Sequence, residues 1–184
     1  MFNTEKESCF CFTSDIDWAS EHAISLTFEM FQDFGVPLTF FITHESRLIR
    51  QYFQEQKVEV GIHPNFLEGS SQGADVPEII EYLERLYPES NCFRNHRYYD
   101  LNDINDLMYQ KGYRYDSNLC TDLDIVRPFF HRSGLLRIPI FMEDGGYLLK
   151  RHPLDFESRS RAFEANGLKV INVHPMHMAL NSPD

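Results

Sequence analysis

The stretch Cys9-Phe10-Cys11-Phe12-Thr13-Ser14-Asp15-Ile16-Asp17-Trp18 decides the fold and points to the chemistry. It reads as a buried strand that runs into two aspartates where it meets solvent. Because side chains two residues apart on a strand point to the same side, Asp15 and Asp17 bring two carboxylates together. Such a pair can hold a metal ion and accept a proton. The competing interpretation is a strand that ends in a turn with acidic capping residues.

The composition limits the class of protein and of partner. A chain of 184 residues with 42% hydrophobic content can bury one sizeable core, which predicts a single domain over residues 1–184. The formal net charge of −11 and the lack of any Lys or Arg run argue against a nucleic-acid partner. The sequence also has no long uncharged apolar run and no basic segment followed by an apolar stretch, so we expect a cytoplasmic protein with no membrane span. A small molecule or an oligosaccharide is the expected substrate.

Strands and helices alternate along most of the chain, and the four cysteines are predicted to be reduced core residues. Strands are predicted at about 8–14, 38–42, 57–62, 91–94, 135–140 and 168–173. Helices are predicted at about 20–31, 45–55, 76–86, 101–111 and 155–166, with Asp75 capping the third of them. This alternation indicates an α/β fold with a parallel sheet covered by helices, either a barrel or an open doubly wound sheet.

Polar residues recur where the predicted strands end. In parallel β/α folds the carboxyl ends of the strands meet at one rim, where active sites form. Residues scattered along the chain should therefore meet in space. Together they offer the oxygen and nitrogen ligands that zinc and similar divalent ions prefer. These residues are Asp15, Asp17, His63, Arg94, His96, Asp116 and His174.

Five segments in this order resemble the motifs of the polysaccharide deacetylases of the NodB-homology type, also called carbohydrate esterase family 4. The first motif of that family is a strand ending in Thr-Phe-Asp-Asp, and the last is an apolar strand ending in His. The similar segments here are Thr13-Ser14-Asp15-Ile16-Asp17, Glu59-Val60-Gly61-Ile62-His63-Pro64-Asn65, Phe93-Arg94-Asn95-His96-Arg97-Tyr98, Tyr115-Asp116-Ser117-Asn118 and Val170-Ile171-Asn172-Val173-His174.

The resemblance implies a distorted, incomplete (β/α) barrel and a metal-assisted removal of an acyl group from an N-acetylated sugar. It implies a divalent metal, with zinc first among the candidates. Asp15 would be the general base and Asp17 the carboxylate ligand, while Arg94 would hold Asp15 by a charge-assisted hydrogen bond. A cytoplasmic location would suit a glycan precursor in surface-polysaccharide biosynthesis.

The chain departs from the family pattern at one position. The second motif of the family supplies two histidines four residues apart, but Leu67 stands four residues after His63. The third protein ligand must therefore come from elsewhere, and His174 and His177 are the candidates considered. We expect His174, at the end of a strand, to be the third ligand, and His177, on the loop that follows, to be the proton donor. The family comparison alone would make His174 the proton donor, and that assignment stays open.

Several residues near these motifs are predicted to contact a sugar. Trp18 could stack on a pyranose face. Polar groups of Asn65, Tyr98, Asp116 and Asp144 could bind its hydroxyl groups.

Two other functions remain open at this stage. A haloacid-dehalogenase-type phosphatase also begins with a strand ending in Asp-x-Asp, but it would leave His63 and His174 unused. A deacetylase-like scaffold with a weakened metal site would bind a carbohydrate or a protein without catalysis, and Leu67 favours that alternative. Metal content separates the three functions.

Overall fold

One continuous sheet organises the computed structural model, which describes residues 6–181. Nine strands within that range form it: β1 (Ser8–Asp15), β2 (Leu38–Ile42), β3 (Glu59–Ile62), β4 (Cys92–Phe93), β5 (Tyr115–Asp116), β6 (Phe129–Phe130), β7 (Leu136–Arg137), β8 (Ile140–Glu143) and β9 (Gly167–Val173). The helices in that range are α1 (Glu21–Asp33), α2 (Arg47–Gln54), α3 (Val76–Leu86), α4 (Asn102–Gln110), α5 (Asp144–Leu149), α6 (Ser160–Glu164) and α7 (Pro175–Leu180). Two 3₁₀ turns span His96–Tyr98 and Glu157–Arg159.

The strands follow the order β6-β7-β5-β4-β3-β2-β1-β9-β8, and all neighbours are parallel except β6 and β7. Beyond β5, a parallel bridge joins Cys120 to Ile140 at the start of β8. The amide of Ile140 donates to the carbonyl of Leu119 at 2.7 Å, which strengthens this closure. The sheet therefore curls into an incomplete barrel, and the predicted α/β fold class is confirmed.

Alternate side chains of the central strands separate the core from the barrel interior, as the two-residue period of a strand requires. Phe40 and Ile42 are fully buried in the main hydrophobic cluster, together with Ile24 of α1 and Ile80 of α3. Thr39 and Phe41 instead line a cavity of about 400 Å³. The cavity also reaches Arg94, the first residue after β4. Arg94 thus closes the cavity toward the rim, while Glu59 and Asn91 line it at the opposite end of the strands.

Asp75 caps α3 as predicted, and serines cap α1 and α2 in the same way. Ser20, Ser46 and Asp75 each accept a hydrogen bond from the backbone N–H three residues later. Within residues 6–181, no helix is long and apolar enough to cross a bilayer.

Three predictions about local structure are corrected. The predicted strand 135–140 is two short strands, β7 and β8, because Pro139 lacks the N–H that a continuous ladder needs. The predicted helix 155–166 is a 3₁₀ turn followed by α6, while α5 and α7 were not predicted. The cysteines are free, as expected, but they are not core residues, since Cys11 is exposed and the other three are partly exposed.

Candidate active site

A strained turn after β1 aims the second aspartate over the mouth of the barrel. Asp17 and Trp18 both have positive φ angles, of 38° and 58°. The turn is held by the Ala19 N–H, which donates to the carbonyl of Ile16 at 2.6 Å, and by the Trp18 N–H, which donates to Thr43 Oγ1 at 3.1 Å. Each such residue costs on the order of 1–3 kcal/mol, and strain of this kind concentrates at functional sites.

Asp17, His63 and His96 form a compact cluster of possible metal ligands. His63 Nε2 and His96 Nδ1 each lie 3.1 Å from the same oxygen, Asp17 Oδ1. His63 follows β3, and its N–H bonds to the carbonyl of Ile42 at 2.8 Å. His96 follows β4, and its N–H bonds to the carbonyl of Pro64 at 2.8 Å. Backbone hydrogen bonds to the neighbouring segments therefore fix the main-chain positions of both histidines at the rim.

The cluster has the chemistry and the spacing for a divalent ion. Two imidazole nitrogens and one carboxylate oxygen are the donor set of many catalytic zinc sites, which leave a fourth position open. Bonds of 2.0–2.1 Å in a tetrahedron give ligand–ligand separations of about 3.3 Å. The observed nitrogen–oxygen distances of 3.1 Å are close to that value.

The environment of Asp17 favours its carboxylate form. Burial raises the pKa of Asp17, but hydrogen bonds with His63 and His96 and the nearby charge of His174 outweigh burial. The net effect holds the pKa of this carboxyl well below its usual range. Asp17 is thus ready to act as an anionic ligand.

Asp15 lies beside the cluster in a buried network centred on Arg94. Arg94 Nη1 donates to Asp15 Oδ1 at 2.7 Å, so the predicted contact between these residues is present. Asn172 Nδ2 donates to Asp15 Oδ2 at 2.9 Å, and the same oxygen lies 4.0 Å from His63 Nε2. Arg94 has no exposed surface, and its guanidinium also bonds to Thr13, Ser117 and Asn172. The second carboxylate is therefore fixed in orientation next to the possible metal site.

His174 lies on the other side of Asp17, paired with an acidic residue. Its Nε2 is 3.6 Å from Asp17 Oδ2, while its Nδ1 is 2.5 Å from Asp144 Oδ1. The backbone N–H of His174 also donates to Asp144 Oδ2 at 2.6 Å. Burial lowers the pKa of His174, but the bond to Asp144 and the negative charges of Asp144, Asp15 and Asp17 raise it to about 9.

His177 is in helix α7 and not on a loop, which corrects the prediction of its setting. Its ring centroid is 6.0 Å from that of His174. The predicted roles, with His174 as third ligand and His177 as proton donor, stay predictions. The distances favour His96 as the third ligand. Its Nδ1 lies 3.1 Å from an oxygen of Asp17, whereas Nε2 of His174 lies 3.6 Å from one.

The other residues predicted to contact a sugar differ from one another in exposure and hydrogen bonding. Trp18 is 40% exposed at the mouth, with its ring edge-on to His96 at 5.2 Å and its Nε1 donating to Ser71. Asn65 is partly exposed, and its Oδ1 accepts from the N–H of Leu67. Tyr98 has a buried hydroxyl with no hydrogen-bond partner among residues 6–181, and burial followed by the charge of Asp15 raises its pKa.

Asp116 is buried in an ion pair. Both of its carboxylate oxygens accept from Arg137 Nε, at 2.9 and 3.1 Å, and the residue is 1% exposed. This burial argues against the predicted contact with a sugar.

His96 is among the residues predicted at the strand ends, but it is missing from the predicted ligand set. The available signal is its position: it lies two residues after Arg94 and follows β4, the strand next to the one that His63 follows. Neighbouring parallel strands bring such residues to the same part of the rim.

Comparisons with known proteins agree with this fold. The family model described as "WbmS-like: Polysaccharide deacetylase" matches residues 12–184. A crystal structure of WbmS from Bordetella bronchiseptica, described as a polysaccharide deacetylase involved in O-antigen biosynthesis, is 27% identical with a TM-score of 0.86. The match covers 96% of this chain and 75% of that one.

More distant structures share the fold. A polysaccharide deacetylase structure from Mycobacterium smegmatis is 17% identical, with a TM-score of 0.61 over 92% of this chain and 77% of that one. A pseudoenzyme of carbohydrate esterase family 4 from Bacillus anthracis is 12% identical, with a TM-score of 0.55 over 96% of this chain and 58% of that one. None of the curated proteins matches the sequence. The family match spans nearly the whole chain, and the chain belongs to the WbmS-like polysaccharide deacetylases.

Proposed function

We propose that this chain is a metal-dependent hydrolase that removes an acetyl group from an N-acetylated sugar or glycan precursor. The observation that carries the proposal is the convergence of His63 and His96 on one oxygen of Asp17, beside the fixed carboxylate of Asp15. We further propose that the chain acts as a single catalytic domain, since one continuous sheet carries all of these residues.

Asp17, His63 and His96 would hold the divalent ion, with zinc preferred by the nitrogen-rich donor set. An ion held there supplies Lewis-acid polarisation of the acetyl carbonyl and lowers the pKa of water.

Asp15 is proposed as the general base. Its Oδ2 lies 4.0 Å from His63 Nε2, so it is next to the cluster without belonging to it. Arg94 and Asn172 restrict the carboxylate to one orientation, which favours proton transfer from a water positioned between it and the substrate. The water oxygen then bonds to the acetyl carbon, and Asp15 takes up the proton.

His174 is proposed as the general acid. The negative charge of Asp144, 2.5 Å from Nδ1, favours the protonated imidazole, and the same contact fixes the orientation of the ring. When the carbon–nitrogen bond breaks, His174 donates its Nε2 proton to the leaving nitrogen. The products are acetate and the free amino sugar. This assignment differs from the sequence-based prediction, in which His174 is the third ligand and His177 is the proton donor. It agrees with the family comparison, which alone would make His174 the proton donor.

Trp18 is proposed to cover the sugar, because it is the exposed aromatic side chain beside His96. The neighbour described as involved in O-antigen biosynthesis supports a surface-polysaccharide precursor as the substrate class.

The non-catalytic scaffold is the second candidate, because one structural neighbour is described as a pseudoenzyme. The complete three-residue cluster favours the enzyme, since His96 supplies a ligand where Leu67 cannot. The family match gives no support to the phosphatase alternative.

The test measures bound zinc and acetate release from a panel of N-acetyl sugars. We expect about one tightly bound zinc per chain and acetate release that stops when the metal is removed. His96→Ala should lose the tightly bound ion, whereas His22→Ala, at an exposed position of α1, should keep it. Tight zinc binding retained by His96→Ala would refute the ligand set, and a zinc-loaded protein that releases no acetate from any sugar would favour the scaffold.

A further inference from the structure

A second cluster of ligating side chains lies beside the proposed active site. Asp144, His174 and His177 each offer a ligand atom, and the three atoms lie within 4.8 Å of one another. The set again combines two imidazoles with one carboxylate, which suits zinc.

The local fold brings these three residues together. Asp144 is the first residue of α5, directly after β8, and His174 directly precedes α7 at the end of β9. His177 lies in the first turn of α7, where its N–H bonds to the carbonyl of His174 at 3.0 Å. A Cβ at Gly145 would come 2.8 Å from Glu143 Oε1, so the glycine leaves room for the Glu143 carboxylate beside the cluster.

The ring of His174 faces both clusters through different nitrogens. Its Nε2 faces Asp17, and its Nδ1 faces Asp144. The carboxylate of Glu143 lies 3.7 Å from Nδ1 and adds negative charge at the second cluster. A cation at this position would therefore meet two carboxylates and two imidazoles.

We propose that Asp144, His174 and His177 form a second, weaker zinc site whose occupancy inhibits the enzyme. An ion there would replace the proton on His174 Nδ1 and break the contact with Asp144. The Nε2 proton of His174 would remain, but losing it would leave a metal-bound imidazolate instead of a neutral imidazole, so His174 would be a far weaker proton donor. The inhibitory part of the proposal rests on the proposed function. The site is weaker because the ion must displace the 2.5 Å contact between His174 Nδ1 and Asp144 Oδ1, which is shorter than the 3.1 Å contacts that an ion replaces at the first cluster.

Zinc binding by the metal-free protein tests the site directly. Equilibrium dialysis of the wild-type chain should show two ions whose dissociation constants differ at least tenfold. His177→Gln should lose the weaker ion and keep the tighter one, while His96→Ala should do the reverse. His22→Ala should bind both ions. Circular dichroism checks that each variant is folded, and His177→Asn replaces His177→Gln if the latter is not.

Catalytic rates give a second readout. The rate of the wild-type protein should fall at least fivefold when zinc is raised from one to ten equivalents. Over the same range of zinc, the rate of His177→Gln should change less than twofold from its own value at one equivalent. A single bound ion in the wild type, or two in His177→Gln, would overturn the second site. Equal slowing of both proteins would overturn the inhibition. An inactive protein that still binds two ions would refute the proposed function while leaving the site intact.

Discussion

The buried ion pair of Arg94 and Asp15 leads us to expect a large loss of folding stability when Arg94 is replaced. Arg94 has no exposed surface, its guanidinium donates in five hydrogen bonds, and it lies 4.2 Å from the ring of Phe41. Arg94→Met keeps much of the side-chain volume but leaves the Asp15 carboxylate buried without its cation. Breaking a buried pair from one side costs about 3–5 kcal/mol.

Urea denaturation measures this cost. With a slope of about 2 kcal/mol per molar urea, the midpoint of Arg94→Met should fall by about 1.5–2.5 M. Arg132→Met is the matched control, because Arg132 pairs with Asp106 at 2.8 Å but its side chain is 57% exposed. That surface pair is worth at most about 1 kcal/mol, so its midpoint should shift by less than about 0.5 M.

The double variant Asp15→Asn with Arg94→Met tests the reason for the loss. Because it removes the unpaired charge, it should be more stable than Arg94→Met alone. A midpoint for Arg94→Met as high as that of Arg132→Met would refute the assigned importance of the pair. A double variant that loses the full sum of the two single losses would show that the residues act independently.

Three further predictions concern catalysis and pH. Asp15→Asn should keep its zinc while turnover falls roughly 100-fold or more, and loss of the metal would instead make Asp15 a ligand. His174→Gln should slow the hydrolysis of an N-acetyl sugar far more than that of an aryl acetate, whose leaving group needs no proton. Equal slowing, or loss of the tight zinc, would return His174 to the ligand role predicted from the sequence. Burial raises the pKa of Asp100, but its bonds to Arg137 and Asn105 lower it overall. Asp100 therefore contributes stability above its ordinary pKa that is lost as pH falls, so Asp100→Asn should be destabilised at pH 7 relative to wild type and much less so at pH 3, as measured by urea denaturation.

The central strands and the Asp15–Arg94 contact could be predicted because they depend on strong local patterns. The run at residues 38–42 is apolar throughout, and β2 has the predicted bounds. Asp15 and Arg94 each lie at the end of a strand, and parallel topology then brings them together. The strand pattern predicts that both residues lie at the rim, and the family resemblance adds that Arg94 holds Asp15.

The sequence contains only weak signals for the third ligand and for the short helices α5 and α7. Identifying His96 as a ligand requires the distances between Asp17 and the histidines at the rim. The family pattern of two histidines four residues apart points instead to position 67, which is a leucine. Helix α5 contains Gly145 and Gly146, which disfavour a helix, and α7 is only six residues long. Short helices of this kind form through tertiary contacts, such as those that hold α7 against α1. A single sequence gives little sign of them.

The pairing of β1 with β9 determines when the active site can assemble during synthesis. Residues Ser8–Ser14 pair with Gly167–Val173, so β1 can complete its pairing on this side only after β9 has been synthesised. The hydrogen bond between Asn172 and Asp15 joins residues 157 positions apart. At about 5–20 residues per second on a ribosome, roughly 8 to 30 seconds separate the synthesis of these two residues. Throughout that interval one edge of β1 has no partner, and it is the segment of the nascent chain that a chaperone would be expected to protect.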